Sequence, residues 1–150
     1  MKFEEFLRVL GLDRKLDLAE ATKTGACSIQ FDNKITISIE NDEKRCSSHA
    51  YCVIGKAPLK QRDALFAMFL QAHMFGIATD GCSFGFQPQS NQIILFTSIN
   101  MAVIDNQMVI QQLESLVNQS IRWSNYLPEL LENWEEKIAH AALSFDVGKW

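Results

Sequence analysis

The chain has 150 residues, of which 47% are hydrophobic and 21% charged, and its formal net charge is −4. This length predicts one domain, or one domain plus a short tail, with enough chain to bury a core. The composition excludes a disordered, collagen-like or coiled-coil chain. The negative charge argues against nucleic acid as a general partner, because phosphates are neutralised by basic side chains. Ten Phe and three Trp are many for a small acidic domain to bury.

We expect no targeting signal in the first residues of this sequence. Glu4 and Glu5 precede any apolar run, whereas a secretory signal peptide needs a basic start and a continuous apolar segment. No stretch approaches the roughly 18 apolar residues of a membrane span. We therefore expect a cytoplasmic protein without membrane insertion. Its four cysteines are expected to be reduced, because cytosolic disulfides are rare.

The first third of the chain has the pattern of one helix followed by strands. Four apolar residues recur at helical spacing between residues 3 and 10, and Gly11 is a suitable stop. A polar stretch from residue 13 to residue 24 follows. Apolar and polar residues then alternate with period two, which is typical of half-buried strands. The three predicted strands cover residues 27–31, 35–40 and 51–54.

The pattern changes to helix and back to strand in the second part of the chain. Residues 59–75 contain no Gly or Pro and place apolar side chains on one broad face, and Gly76 is suited to end this helix. Asp105 is a suitable N-cap for a later, long helix. Pro128 either kinks that helix or begins a new one. The two strands predicted between these helices cover residues 82–86 and 92–96.

The predicted order of elements is α-β-β-β-α-β-β-α, with an additional helix at the C-terminus. Hairpin spacing between the strands predicts a twisted antiparallel sheet flanked by helices, which is an α+β fold. We expect residues 1–127 to form the α+β domain. Residues 128–150 are expected to form a helical extension that packs on this domain or continues from it.

Two sequence motifs match patterns of catalytic or zinc-binding sites but lack the neighbouring element or ligand that such sites need. Residues 81–85 match G-x-S-x-G, the nucleophile elbow of α/β-hydrolases, but an elbow needs a helix after the serine and here a strand runs through the motif. Cys46, His49 and Cys52 offer three zinc ligands at an unusual spacing, and a fourth would have to come from elsewhere. We expect no catalytic residue, no metal and no cofactor.

The stretch from residue 70 to residue 86, LQAHMFGIATDGCSFGF, resembles a segment of class I type III secretion chaperones, the Tir chaperone family. In that family a helix ending in a pattern like L-x-A-N-L-F-G leads through a Thr-Gly-Gly-like turn into L-G-L-D. A strand, a loop and a long helix with a late Trp follow there, as residues 93–96, 98–101 and Trp123 do here. The element order resembles the family over nearly all of residues 1–135. The chain departs from the pattern at His73, where Asn is common, at Asp80, where Gly is common, and at Gln87, where Asp is common.

This resemblance implies a homodimer in the cytosol of a bacterium that has a type III secretion system. It implies that the partners are secreted effector proteins, whose N-terminal segments wrap around the dimer in an extended form. Binding would keep these effectors soluble and competent for export. The secretion ATPase or a sorting platform is a further partner to consider. The resemblance also implies that the protein uses no nucleotide and catalyses nothing.

The candidate cargo-binding surface lies on the first helix and the first two strands. An exposed sheet edge beside apolar grooves can bind an extended chain by strand addition. Apolar side chains that exceed what the core requires would form an exposed patch, which marks an interaction site. The alternative for each residue is an ordinary place in the core. The predicted cargo-binding residues are Phe3, Phe6, Leu7, Leu10, Ile29, Phe31, Ile35, Ile37 and Ile39.

The resemblance places the dimer interface on the second predicted helix and the fourth predicted strand. Aromatic side chains are enriched in the cores of such interfaces. The alternative is that these side chains pack within one subunit. The predicted interface residues are Phe66, Phe69, His73 and Phe84.

Two other classes of function stay open on the sequence. One is an α+β adaptor or regulatory module that shares this topology but binds no secretion cargo. The other is a small hydrolase that uses Ser83 or a cysteine as its nucleophile. A strict monomer in solution would argue against the chaperone, and an effector gene or a secretion cluster next to this gene would decide between the classes.

Overall fold

The computed structural model describes residues 1–11 and 16–141, apart from the side chain of residue 141. Within them the chain forms five helices and five strands. The helices are α1 (Phe3–Val9), α2 (Leu18–Thr24), α3 (Arg62–His73), α4 (Asn106–Leu131) and α5 (Trp134–Ala141). The strands are β1 (Ala26–Phe31), β2 (Ile35–Asp42), β3 (Ser47–Lys56), β4 (Ser83–Gln87) and β5 (Gln92–Asn100). Short 3-10 turns cover Glu43–Arg45 and Met74–Gly76.

The predicted α+β architecture is confirmed, with one helix more than expected. The described part of the polar stretch before β1 contains α2. The N-cap of this helix is Asp17, whose side chain accepts a hydrogen bond from the Glu20 backbone N–H. The helix ends at Gly25, which adopts the left-handed conformation with φ of +69°. These are ordinary helix start and stop signals. They were missed because the helix between them is only seven residues long and largely polar.

The five strands form one antiparallel sheet in the order β1-β2-β3-β5-β4. The hairpin of β4 and β5 pairs with β3 through β5. This arrangement leaves β1 at one edge of the sheet and β4 at the other.

One face of the sheet carries the core and the other carries polar side chains. On the core face, Ile37 and Ile39 are fully buried, and α4 packs across β2, β3 and β5. The opposite face is crossed by three side-chain hydrogen bonds between neighbouring strands. These join Ser28 to Ser38 at 3.0 Å, Tyr51 to Glu40 at 3.0 Å and His49 to Ser98 at 2.8 Å. The alternation expected for half-buried strands is therefore present.

The long helix α4 begins where the sequence predicts. The Asp105 side chain accepts a hydrogen bond of 2.8 Å from the Met108 backbone N–H, so the predicted N-cap is confirmed. Pro128 lies inside α4, close to its end, and the helix passes between residues 127 and 128 without a break. A proline this near the end of a helix removes one hydrogen bond and leaves the earlier turns intact.

The C-terminal helix α5 packs beside the loop that precedes α3. Trp134 is buried, and its indole N–H donates a 3.2 Å hydrogen bond to the Gln61 carbonyl. Lys60 and Glu135 add an exposed ion pair at 3.5 Å. The predicted extension of residues 128–150 thus contacts the α+β domain as far as it is described, while residues 142–150 lie outside the described part.

Candidate interaction surfaces at the two sheet edges

The outer edge of β1 can be worked out from its pairing with β2. The Asn41 backbone N–H donates a 2.7 Å hydrogen bond to the Gly25 carbonyl, so the ladder between these strands begins with this pair. In an antiparallel ladder, hydrogen-bonded and non-hydrogen-bonded pairs alternate. The backbone groups of Ala26, Ser28 and Gln30 therefore point away from β2, toward the open side of the sheet.

The hydrogen bonds of Ala26 agree with this assignment. Its backbone N–H and carbonyl both lie beside the Thr24 hydroxyl, at 3.4 Å and 3.1 Å, which satisfies them at the edge. No residue in the described part of the chain is hydrogen-bonded to the outward backbone groups of Ser28 and Gln30. The β1 edge therefore presents two donors and two acceptors at successive ladder positions, and such a row is a template for another strand.

The predicted cargo-binding side chains belong to the hydrophobic core or pack against it. Phe6, Leu7, Ile37 and Ile39 have no exposed surface. Phe3, Ile29 and Ile35 are also buried, while Leu10 and Phe31 are half-buried and pack against the same cluster.

The burial of these side chains has a simple cause. The alternating isoleucines all point to the face that carries the core, and α1 lies against both α2 and α4. A direct contact between the seven buried side chains and a bound segment stays a prediction, and it would require these side chains to become accessible. The accessible parts of this region are the backbone edge of β1 and the exposed portions of Leu10 and Phe31.

The four residues predicted for the dimer interface come together at the opposite edge. Phe69 stacks on Phe84 with ring centroids 4.2 Å apart, and His73 stacks on Phe84 at 5.8 Å. Phe66 lies 4.8 Å from Phe86, and Trp123 of α4 meets Phe84 edge-on at 4.9 Å. Helix α3 and strand β4 are thus joined by an aromatic cluster.

This cluster borders an open, mostly apolar cavity of about 170 Å³, which we call the α3–β4 groove. Phe69 is buried, whereas Phe66, His73 and Phe84 are half-buried and accessible from the groove. The groove is lined by Phe66, Phe69, Leu70, His73, Phe84, Gly85 and Phe86.

His73 also makes a polar contact in the groove. The Phe84 backbone N–H donates a 2.8 Å hydrogen bond to its Nδ1 atom. The imidazole must therefore be neutral, with its proton on Nε2, because Nδ1 acts as the acceptor. Burial lowers the pKa of the His73 imidazole below its ordinary value.

Exposed apolar residues extend the groove beyond the end of α3. Leu70, Met74, Phe75 and Ile77 are 64%, 48%, 91% and 60% exposed. Phe75 has a positive φ of +58°, which turns the chain sharply after the helix. Four large apolar side chains exposed within eight residues are unusual, and such patches mark interaction surfaces. Leu70, Met74 and Ile77 follow helical spacing in the sequence, whereas Phe75 departs from it.

In the described residues, the motifs that match a nucleophile elbow or a zinc site are not arranged as such sites. Ser83 opens β4, so a strand follows the serine as predicted. Burial raises the pKa of the Cys27, Cys52 and Cys82 thiols, and for Cys82 burial together with the Asp80 carboxylate raises the pKa to about 11. A reactive cysteine needs a lowered pKa. Among the described residues, no group of three or more His, Cys, Asp or Glu side chains is placed to hold a metal ion.

None of the helices in the described part of the chain has the length and apolar character needed to cross a membrane.

Solved structures with a similar fold include chains from several protein complexes. The chain is 16% identical to a chain in the ExsC–ExsE complex, with a TM-score of 0.62 and coverage of 83% of this chain and 92% of that one. It is 15% identical to a chain in the heterodimeric ExoU–SpcU complex from the type III secretion system of Pseudomonas aeruginosa, with a TM-score of 0.60 and coverage of 87% and 98%. For the HopA1–SchA chaperone–effector complex the identity is 17%, the TM-score 0.58, and the coverage 83% and 91%.

A comparison with curated proteins gives no match. The sequence does match the model of the Tir chaperone protein (CesT) family over residues 4–124. This match spans α1 to most of α4 and includes all the residues of both sheet edges. The chain therefore belongs to the Tir chaperone protein (CesT) family.

Proposed function

We propose that this protein is a type III secretion chaperone that binds the extended N-terminal segment of one or more effector proteins and keeps them soluble and competent for secretion. Membership of a chaperone family supports this function. A related fold occurs in the HopA1–SchA complex, which is described as a chaperone–effector complex. The proposal places the protein in the bacterial cytoplasm, with the secretion ATPase or sorting platform as a further contact. It assigns the protein no catalytic activity.

The outer edge of β1, which no other strand of the described residues covers, is the observation that carries the proposal. An extended effector segment would bind there as a sixth strand, with main-chain hydrogen bonds to Ser28 and Gln30. Every second side chain of that segment would then lie on the core face of the sheet, beside the half-buried Cys27 and Phe31. In this mode the main chain provides affinity and the alternate side chains provide selectivity.

The proposal includes a homodimer formed through the α3–β4 groove. Phe66, Phe69, His73 and Phe84 line the groove, and the exposed Phe75 lies in the turn that directly follows α3. A second copy packed here would cover aromatic surface that one subunit leaves open to water, which is the composition expected of an interface core. Residues 1–127 would supply both surfaces, and residues 128–150 would act as an extension of the same domain.

A proline at the β1 edge tests the mode of effector binding. Ser28→Pro removes an outward N–H but no hydrogen bond to β2, and edge positions of this kind tolerate proline. We expect this variant to remain folded and dimeric and to lose at least tenfold in affinity for an effector N-terminal segment, measured by calorimetry. Ser28→Ala is the matched control, because it alters the side chain and keeps the backbone N–H. Wild-type affinity of a folded Ser28→Pro variant would contradict strand addition at β1.

A further inference from the structure

The outer edge of β4 is closed at one position by a histidine. Phe84 donates its backbone N–H to Nδ1 of His73, the last residue of α3, so this N–H points away from β5. The imidazole thus satisfies an outward backbone donor that the pairing of β4 with β5 leaves free.

Protonation of His73 is incompatible with this contact. With a proton on Nδ1, two donors would face each other across 2.8 Å, and the hydrogen bond would be lost. A positive charge would also appear in a groove whose other lining residues are Phe, Leu and Gly. Placing a charge in such surroundings is costly unless a partner of opposite charge is present.

The charged groups on the surrounding elements do not supply such a partner. On α3, Arg62 lies over the Phe86 ring and donates to the Pro58 carbonyl. In the turn before β4, the Asp80 carboxylate accepts a 2.6 Å hydrogen bond from Ser115, and on α4 Arg122 donates to the Ala78 carbonyl. Strand β4 has no charged residue. Within the described residues, His73 forms no ion pair, and burial alone shifts its pKa downward.

We propose that His73 makes the pairing of two copies through the α3–β4 groove pH-dependent, because only the neutral imidazole accepts from the Phe84 N–H and leaves the apolar groove uncharged. This inference rests on the homodimer of the proposed function. The inference adds a pH-regulated interface to that homodimer: acidification would break the contact with Phe84, place a charge in the apolar groove and separate the subunits.

The direction in which pH changes the stability of the dimer follows from proton linkage. A histidine whose pKa is lowered on burial must release its proton to enter the buried state, so the buried state is favoured at high pH and disfavoured as the pH falls. Two copies bring two such histidines into the interface. We therefore expect the dimer dissociation constant to rise roughly tenfold between pH 7.5 and pH 5.5.

Sedimentation velocity of the full chain at pH 7.5 and pH 5.5 tests this expectation. His73→Asn is the informative variant, because an amide oxygen can accept from Phe84 N–H and does not titrate; His73→Gln is the alternative should that variant fold poorly. His140→Gln, which removes an exposed histidine outside the groove, is the matched control. We expect the pH dependence to be lost in the His73 variants and kept in the control.

Resonances of the Phe84 amide in an ¹⁵N-labelled protein give a second readout that does not need a dimer. We expect this amide to shift together with the titration of the His73 ring. A dimer with the same dissociation constant at both pH values, or a His73→Asn variant that keeps the pH dependence, would overturn the inference and leave the homodimer intact. A monomer at pH 7.5 would overturn both, even if the Phe84 amide follows His73.

Discussion

Truncation of Phe6 separates two interpretations of the first helix. The sequence pattern allows Phe6 to be a cargo contact, whereas in the structure it has no exposed surface and stacks on Phe3 with ring centroids 6.1 Å apart. A fully buried Phe replaced by Ala typically costs about 3–5 kcal/mol, because the transfer free energy is lost and a cavity remains. Against a total stability of roughly 5–15 kcal/mol, Phe6→Ala should be severely destabilised.

Urea unfolding followed by circular dichroism measures this effect. We expect Phe6→Ala to lower the free energy of unfolding by about 3–5 kcal/mol with an unchanged m-value, and Phe6→Leu to lose much less because it keeps most of the volume. Leu59→Ala is the control, since that side chain is 89% exposed, lies outside both proposed surfaces and should change stability by less than about 0.5 kcal/mol. A Phe6→Ala variant with wild-type stability and lost effector binding would refute the core assignment and establish Phe6 as a cargo contact.

Two further predictions concern the turn after α3 and the cysteines. Gly76→Ala should be less stable than Gly81→Ala by about 1 kcal/mol or more: both glycines have positive φ, but a Cβ on Gly76 would lie 2.8 Å from the Gly81 backbone N, whereas one on Gly81 meets nothing within 4 Å. Thermal unfolding compares the two, and equal losses would contradict this reason. In native protein at pH 8, iodoacetamide should modify the exposed Cys46 well before Cys52 and Cys82, whose pKa values are raised by burial. Mass spectrometry identifies the modified sites, and rapid modification of Cys82 would show that its surroundings are more open than described.

The local pattern predicts elements better than it predicts surfaces. Alternation in β2 and the Asp105 cap of α4 depend on neighbouring residues only, and both are confirmed. The role of Phe6 or Ile37 depends on whether α1 and α4 cover that face of the sheet. Both a core and an exposed groove would show the same periodicity, so the sequence pattern alone could not decide between them.

The candidate surfaces depend on the strand order, which no local signal specifies. Consecutive strands usually pair, but the hairpin of β4 and β5 had two edges available, at β3 and at β1. Its pairing with β3 leaves Ser28 and Gln30 at an open edge. These polar residues gave no signal in the sequence because their contribution is made by the backbone. The aromatic cluster of α3 and β4 was accessible to prediction only through the family resemblance, since its members are distant in the chain.

The two edges of the sheet give the proposed surfaces independent positions. Neighbouring strands lie about 4.8 Å apart, so the four spacings between β1 and β4 separate the edges by about 19 Å. An effector strand on β1 and a second copy at the α3–β4 groove therefore need not compete. In a dimer paired through the groove, each subunit would still present its own β1 edge. Because Ser28 and Gln30 contribute mainly backbone groups, such an edge would tolerate segments of different sequence, with selection left to the side chains that reach the core face beside Phe31.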